Sequence, residues 1–153
     1  MDLDMIMDGV RFSVRTAAVV RHKDEVLFSK KSDNDYFSFP GGKIKINESS
    51  KEALVRELKE ELNYDVSESE LKLVRIIENF YTKDDIVNHE YLFLYLLDIN
   101  DDYYNGDFRN LENDNINMEW IKEEVFILMN VVPDTCKGVL HNPSFQHIIL
   151  KRN

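Results

Sequence analysis

The residues best placed to do chemistry fall in one stretch, Gly42 to Tyr64, which reads GKIKINESSKEALVRELKEELNY. Within it Glu57, Glu60 and Glu61 stand at i, i+3 and i+4, so on a helix their side chains emerge as neighbours on one face. Three carboxylates so close repel one another. A cation relieves that repulsion, and hard divalent ions that take oxygen ligands, Mg²⁺ or Mn²⁺, suit such a set best. Arg56 can hold one carboxylate in its rotamer by a bidentate contact, and Glu48 lies at the mouth of the helix. Taken alone, the three glutamates suit an ordinary solvated helix face equally well.

Several elements must position these groups. From Ser49 to Leu62 there is no Gly or Pro, and Ala53, Leu54, Leu58 and Leu62 recur at helical spacing, which predicts an amphipathic helix. Asn47, Ser49 and Ser50 are good N-cap types, with Glu52 three residues after Ser49 as a capping-box partner. Ahead of it, Pro40-Gly41-Gly42 forms a loop whose glycines let backbone approach a bound group closely. Strands are expected at Arg11 to Arg21 and Glu25 to Lys31, joined through His22-Lys23-Asp24, and a short one at Tyr36 to Phe39 leads into the glycine loop. After the helix, Leu71 to Tyr81 and Glu90 to Ile99 read as strands around a Lys83-Asp84-Asp85 turn. Asp101 to Asn115 is polar, contains Asn105-Gly106 and reads as a loop. A strand at Met118 to Ile121, a helix near Lys122 to Met129 and a helical turn or two between Asp134 and Leu140 follow, and Gln146 to Lys151 is ambiguous. Strands interleaved with helices indicate an α/β or α+β sandwich.

Gly42, Glu48, Arg56, Glu57, Leu58, Glu60, Glu61 and Tyr64 together resemble the Nudix box of the Nudix hydrolases, G-x5-E-x7-R-E-U-x-E-E-x-G-U with U apolar or bulky. Six fixed polar or glycine positions coincide by chance about once in 10⁷ starting points at average residue usage. Asn63 replaces the box's second glycine, and Asn is the other residue that visits the left-handed region readily. Nearby, Lys45 and Asn47 stand where many relatives carry a glutamate and a glycine.

The resemblance implies a Nudix-type α/β/α sandwich, with a mixed sheet between helices, spanning residues 1–153 as one domain. It implies Mg²⁺- or Mn²⁺-dependent hydrolysis of a nucleoside diphosphate linked to another moiety, with water attacking phosphorus. Diphosphates resist attack because their oxygens are negative, and metals both neutralise that charge and lower the pKa of bound water. Glu57, Glu60 and Glu61 are the implied metal ligands and Glu48 a weaker one; Glu60 or Glu61 handles the water proton, supported by Arg56. Arg15 and Lys30, on early strands, and Gly41 and Gly42 are candidate substrate contacts, although exposed cations on strands are also the rule. Glu90 is a candidate carboxylate outside the helix, with Asp101, Asp102, Glu112 and Asp114 as rivals. Relatives are often homodimers. Two other functions stay open: a catalytically idle domain that senses a nucleotide and regulates a partner, and removal of an RNA 5′-pyrophosphate.

Composition bounds the rest. With 153 residues, 43% hydrophobic and 31% charged, the chain can bury a real core. A single cysteine, Cys136, excludes an intramolecular disulfide and reads as structural, which suits a cytoplasmic protein. The start MDLDMIMDGV lacks the pattern of a secretory signal, and the apolar runs Tyr91 to Leu97 and Val125 to Met129 are too short to span a membrane. A formal charge of −10 argues against bulk nucleic-acid binding and requires a bound metal to offset it for an anionic nucleotide. Tyr36, Phe37, Phe39, Phe80, Tyr81 and Trp120 could stack on a base, but aromatics mostly fill cores. His22 is expected in an exposed turn; His89 is a candidate acid, and no histidine pair has zinc-ligand spacing.

Overall fold

Alternation along the two longest strands builds a core on both sides of one sheet. The computed structural model describes residues 1–131 and 133–151. In chain order the elements are β1 (Asp4–Met7), β2 (Val10–His22), β3 (Glu25–Lys31), β4 (Gly41–Lys43), α1 (Ser50–Leu62), β5 (Lys72–Lys83), β6 (Ile86–Asp98), β7 (Phe108–Arg109), β8 (Ile116–Lys122), α2 (Glu123–Phe126) and β9 (Gln146–Leu150). Single 3-10 turns or short 3-10 helices lie at Glu68–Glu70, Asp101–Tyr103 and Asp134–Leu140. The strand order is β7-β8-β3-β2-β6-β5-β9, with β1 and β4 also paired to β2. β2 runs parallel to β6 and β5 to β9, while the other pairs are antiparallel, so the sheet is mixed and the fold α+β.

Successive residues of β2 point to opposite faces. Ala18 and Val20 pack with Leu54, Leu58 and Leu62 of α1, whereas Ala17 and Val19 pack with Leu92, Leu94, Phe126, Cys136 and Val139 on the other side. The second covering layer is thin, since α2 is four residues long and the Asp134–Leu140 segment is 3-10. Arg75 ties the tail down: buried in β5, it donates to Val74 O at 2.7 Å, Ser144 O at 2.8 Å and Asn142 O at 2.9 Å.

One feature of β2 positions the site. Its β6 edge is paired from Val10 to Arg21, but its other edge is shared in turn by β1, β4 and β3. β3 holds β2 only through Glu25–Leu27, then bridges Ser38 from Ser29, and the sheet parts where β4 takes over. A cleft of about 660 Å³ opens there, with Ala17, Ser29, Ser38 and Gly41 on its walls.

Some expectations are corrected. Tyr36 to Phe39 is no regular strand, because only Phe37 and Ser38 make isolated bridges, to Val131 and Ser29. The helix expected at Lys122 to Met129 shrinks to Glu123–Phe126, since Lys122 still belongs to β8. The Asp101 to Asn115 loop contains a 3-10 turn and β7. His22 is buried, not exposed: it ends β2, stacks on Tyr104 at 4.2 Å and contacts Asp101 Oδ1 at 2.8 Å. The ambiguous tail is β9. Cys136 is buried, which pushes its thiol up to about 12 and suits the structural role expected of it. Among the described residues, no helix is long and apolar enough to cross a membrane.

Candidate active site

The helix that carries the glutamates is fixed at both ends. Ser49 accepts from Glu52 N at 3.1 Å as N-cap, and Thr16 Oγ1 donates to Ser50 O at 3.1 Å, docking the first turn on β2. Asn63 caps the other end at φ 59° and donates to Lys59 O at 3.0 Å. Asn47 is also left-handed, at φ 69°. Both Gly-to-Asn exchanges thus keep the backbone that glycine would adopt.

With its apolar stripe against the sheet, α1 turns Arg56, Glu57, Glu60 and Glu61 towards β4 and the 110–112 segment. Glu57 is 8% exposed and lies against Gly42, where an added Cβ would meet Glu57 Oε1 at 2.4 Å. A side chain there would displace the Glu57 carboxylate. At Gly41 a Cβ would fall 2.1 Å from Thr16 O, so close pairing of β4 with β2 excludes a side chain too.

Arg56 gathers the carboxylates. Its Nε and Nη2 donate to Glu48 Oε2 and Oε1 at 2.8 and 2.9 Å, a bidentate fork. Nη1 donates to Glu57 Oε1 at 3.0 Å and Glu60 Oε2 at 3.3 Å, and Nη2 also to Lys43 O at 3.2 Å. The guanidinium holds Glu48 down at about 2, and the carboxylates in turn push Arg56 up. Glu57 is shifted the other way, raised by burial in spite of Arg56.

Glu61 is held differently. Gly41 N donates to its Oε2 at 3.0 Å, and Asn110 Nδ2 to its Oε1 at 3.3 Å. Burial, followed by the charge of Glu57, pushes it up to about 8. The same Asn110 accepts from Glu112 N at 2.9 Å and Asn113 N at 3.1 Å, and Leu111 N donates to Glu61 O at 2.9 Å. These bonds bring in Glu112, raised chiefly by its contact with Glu60. Glu57, Glu60 and Glu112 each offer a carboxylate oxygen, all within 4.8 Å of one another. An all-oxygen set this tight, with two members shifted toward protonation, fits a hard divalent cation.

The remaining candidates divide. Arg15 lines the cleft on β2, and its charge acts on both Glu57 and Glu90. Lys30 leads elsewhere: its ammonium lies 6.0 Å from the Phe37 ring centroid, while Ser29 and Lys31 line the cleft from β3. Glu90 lines the cleft on β6 beside Asn79 and Tyr81, outside the Glu57, Glu60 and Glu112 group, and burial raises its pKa. Asp101 instead faces His22, and Asp102 sits in the same 3-10 turn. Tyr36, Phe39 and Tyr81 reach the cleft, Trp120 lies in the core under α1, and Phe80 stacks on His89 at 4.3 Å. Asn110 carried no signal of its own; an Asx turn in an Asn/Asp-rich run was the one local cue.

A family model described as NUDIX domain matches residues 11–135. No curated protein sequence matches the chain. Among solved structures, the chain is similar to a MutT protein from Bacillus halodurans, at 23% identity and TM-score 0.71, over 88% of this chain and 86% of that one. It is also similar to a NUDIX hydrolase from Nitrosomonas europaea, at 20% identity and TM-score 0.61, over 92% and 79%. A MutT NUDIX hydrolase from Burkholderia pseudomallei aligns at 20% identity and TM-score 0.59, over 74% and 84%. These likenesses agree in fold, and the family match spans the cleft, the helix and the loop that delivers Glu112, so the chain belongs to the Nudix hydrolase family.

Proposed function

We propose that this protein hydrolyses the diphosphate linkage of a small nucleotide, a nucleoside diphosphate joined to a further group, with Mg²⁺ or Mn²⁺ as cofactor. The observation that carries the reading is the convergence of Glu57, Glu60 and Glu112 within 4.8 Å, beside a cleft lined by Arg15 and Gly41. A divalent cation, when bound, neutralises diphosphate oxygens and makes a water nucleophilic near neutral pH. Glu57, Glu60 and Glu112 would hold it, with Glu48 and Arg56 fixing their rotamers.

The chain's own groups do the rest. Glu61, aimed by Gly41 N and Asn110 Nδ2, would in its ionised form accept a proton from an attacking water, with Glu60 as the alternative acceptor. Arg15 meets the anionic substrate from β2, and Tyr36 and Tyr81 offer rings to a base or sugar. Gly41 and Gly42 let the backbone approach the phosphates, as no side chain intervenes.

The test is turnover of nucleoside triphosphates, oxidised triphosphates, nucleotide sugars, ADP-ribose and dinucleoside polyphosphates with Mg²⁺ or Mn²⁺, beside Glu61→Gln. Metal-dependent cleavage of one class, lowered about 10²–10⁴-fold in the variant, is expected. Tight binding without turnover across the panel would instead assign a nucleotide sensor.

A further inference from the structure

The sheet face that carries the cleft continues past Arg15 into a second depression of about 310 Å³. Arg11, Arg15, Lys43 and Lys83 line it, against the carboxylates of Asp84 and Glu90. Four cations therefore gather on one patch of a chain whose formal charge is −10. A patch of opposite sign to the whole molecule is a local field, and clefts focus such fields on an arriving ion.

The ladder sets the spacing of these cations. Arg11 and Arg15 are on the same face of β2, about 13 Å apart along the strand. Arg15 lies directly opposite Lys43 in the β2–β4 pair. Like charges in facing positions destabilise a sheet, so this arrangement does not serve the fold. Asp4 offsets part of it, accepting from Arg11 at 2.7 and 2.6 Å and pairing with Lys43. That is one carboxylate for two cations. Arg15 and Lys83 enter no ion pair among the described residues. Arg15 is half-buried and its charge reaches Glu57 and Glu90 without an ion-pair contact to either, so an incoming anion would supply a direct partner.

Location connects the depression to the chemistry. Arg15, Tyr81, Lys83 and Glu90 line both the cleft and the depression, and Arg15 acts on Glu57 across the β2–α1 junction. The depression is thus a side chamber of the cleft, entered past Arg15. Lys83 stands at its rim, exposed at the end of β5 before the Asp84-Asp85 turn.

We propose that the depression is a second anion subsite, which seats a phosphate of the substrate lying outside the diphosphate that is cut. The proposal rests on the cleft being a nucleotide-diphosphate site, and it narrows the substrate to nucleotides with an additional phosphate. That phosphate belongs either to a ribose monoester or to a longer polyphosphate chain. Both present the same tetrahedral oxyanion to a guanidinium fork and a lysine.

Two measurements test it. In EDTA, where the glutamate cluster is stripped of metal, tripolyphosphate binding is followed by calorimetry for the wild type and for Lys83→Gln, a surface change that leaves the fold intact. The variant is expected to bind about tenfold more weakly, the effect of one charge-assisted contact. With metal, kcat/KM is compared within NADH and NADPH, within dephospho-coenzyme A and coenzyme A, and along diadenosine polyphosphates of three to five phosphates. The member with the extra phosphate is expected to be preferred about tenfold, and the preference to shrink in Lys83→Gln. Preference in the first two pairs assigns a ribose monoester, and preference along the series a polyphosphate chain. Turnover that ignores the extra phosphate, together with tripolyphosphate binding that ignores Lys83, overturns the subsite and leaves the hydrolase reading standing. Lys83-dependent tripolyphosphate binding without turnover of any substrate keeps the subsite and overturns the hydrolase reading.

Discussion

Gly42 shows how little room the site leaves. A methyl group at this position would sit 2.4 Å from Glu57 Oε1, so Gly42→Ala must push that carboxylate away from Glu60 and Glu112. Since displacement by about 1 Å can cost about 10²-fold in rate, kcat/KM of Gly42→Ala is expected to fall by that order with little change in thermal unfolding. Unchanged activity would show that Glu57 need not hold its place. The proximity of Arg56, Glu57, Glu60 and Glu61 was legible in the sequence because it follows from helical spacing, and that of Glu48 because it lies just ahead of the same helix. Glu112 stood only as one of several rival carboxylates, and Asn110 not at all. Their approach depends on bonds such as Leu111 N to Glu61 O, between segments with no common periodicity.

At the scale of elements, the end of α1 carries a clear expectation. Asn63 is left-handed at φ 59°, a conformation that costs a residue with an ordinary Cβ about 1–2 kcal/mol. Asn63→Ala is expected to destabilise the fold by about 1 kcal/mol, and Asn63→Gly to be neutral or stabilising, as read from denaturant midpoints. Equal midpoints for Ala and Gly would remove the capping argument. Regular elements with strong periodicity, such as β2, β3, β5, β6 and α1, were readable to within a few residues. Short ones were not. Tyr36 to Phe39 has strand-like composition but pairs only through two bridges, and β1 forms because Val10–Ser13 leaves an edge for it. β9 likewise depends on the free edge of β5, which local sequence cannot reveal.

Across the whole molecule, charge couples stability to pH and metal. Glu48 is held at about 2 and Asp4 is lowered by its Arg11 partner, so both add stability above the unfolded value of about 4 and lose it as pH falls through their folded values. Glu61, raised to about 8, and Glu57, Glu90 and Glu112, each raised as well, act oppositely. They cost stability as pH rises from about 4.3 towards 8, where the folded state must give up protons it holds more tightly than the unfolded chain. Without metal, Tm is therefore expected to fall between pH 5 and 8. Saturating Mg²⁺ should raise it more at pH 8, by about 5–10 °C at a hundredfold excess over Kd, than at pH 5, where protons compete for the carboxylates. No shift at pH 8 in a thermal melt would argue against a cation among these glutamates.

The parallel pairing of β2 with β6 bears on the order in which the chain assembles. Val10 meets Val87 and Arg21 meets Asp98, partners separated by about half the chain's length. As β2 leaves the ribosome, its hairpin with β3 and its contacts to β4 can form early. Its longest edge must wait for β6, and the loop that brings Glu112 comes later still. Long-range parallel pairing is intrinsically slow, because loop closure precedes its reward. Catalytic competence should then lag behind helix formation in refolding, with α1 formed before its glutamates have the company they need.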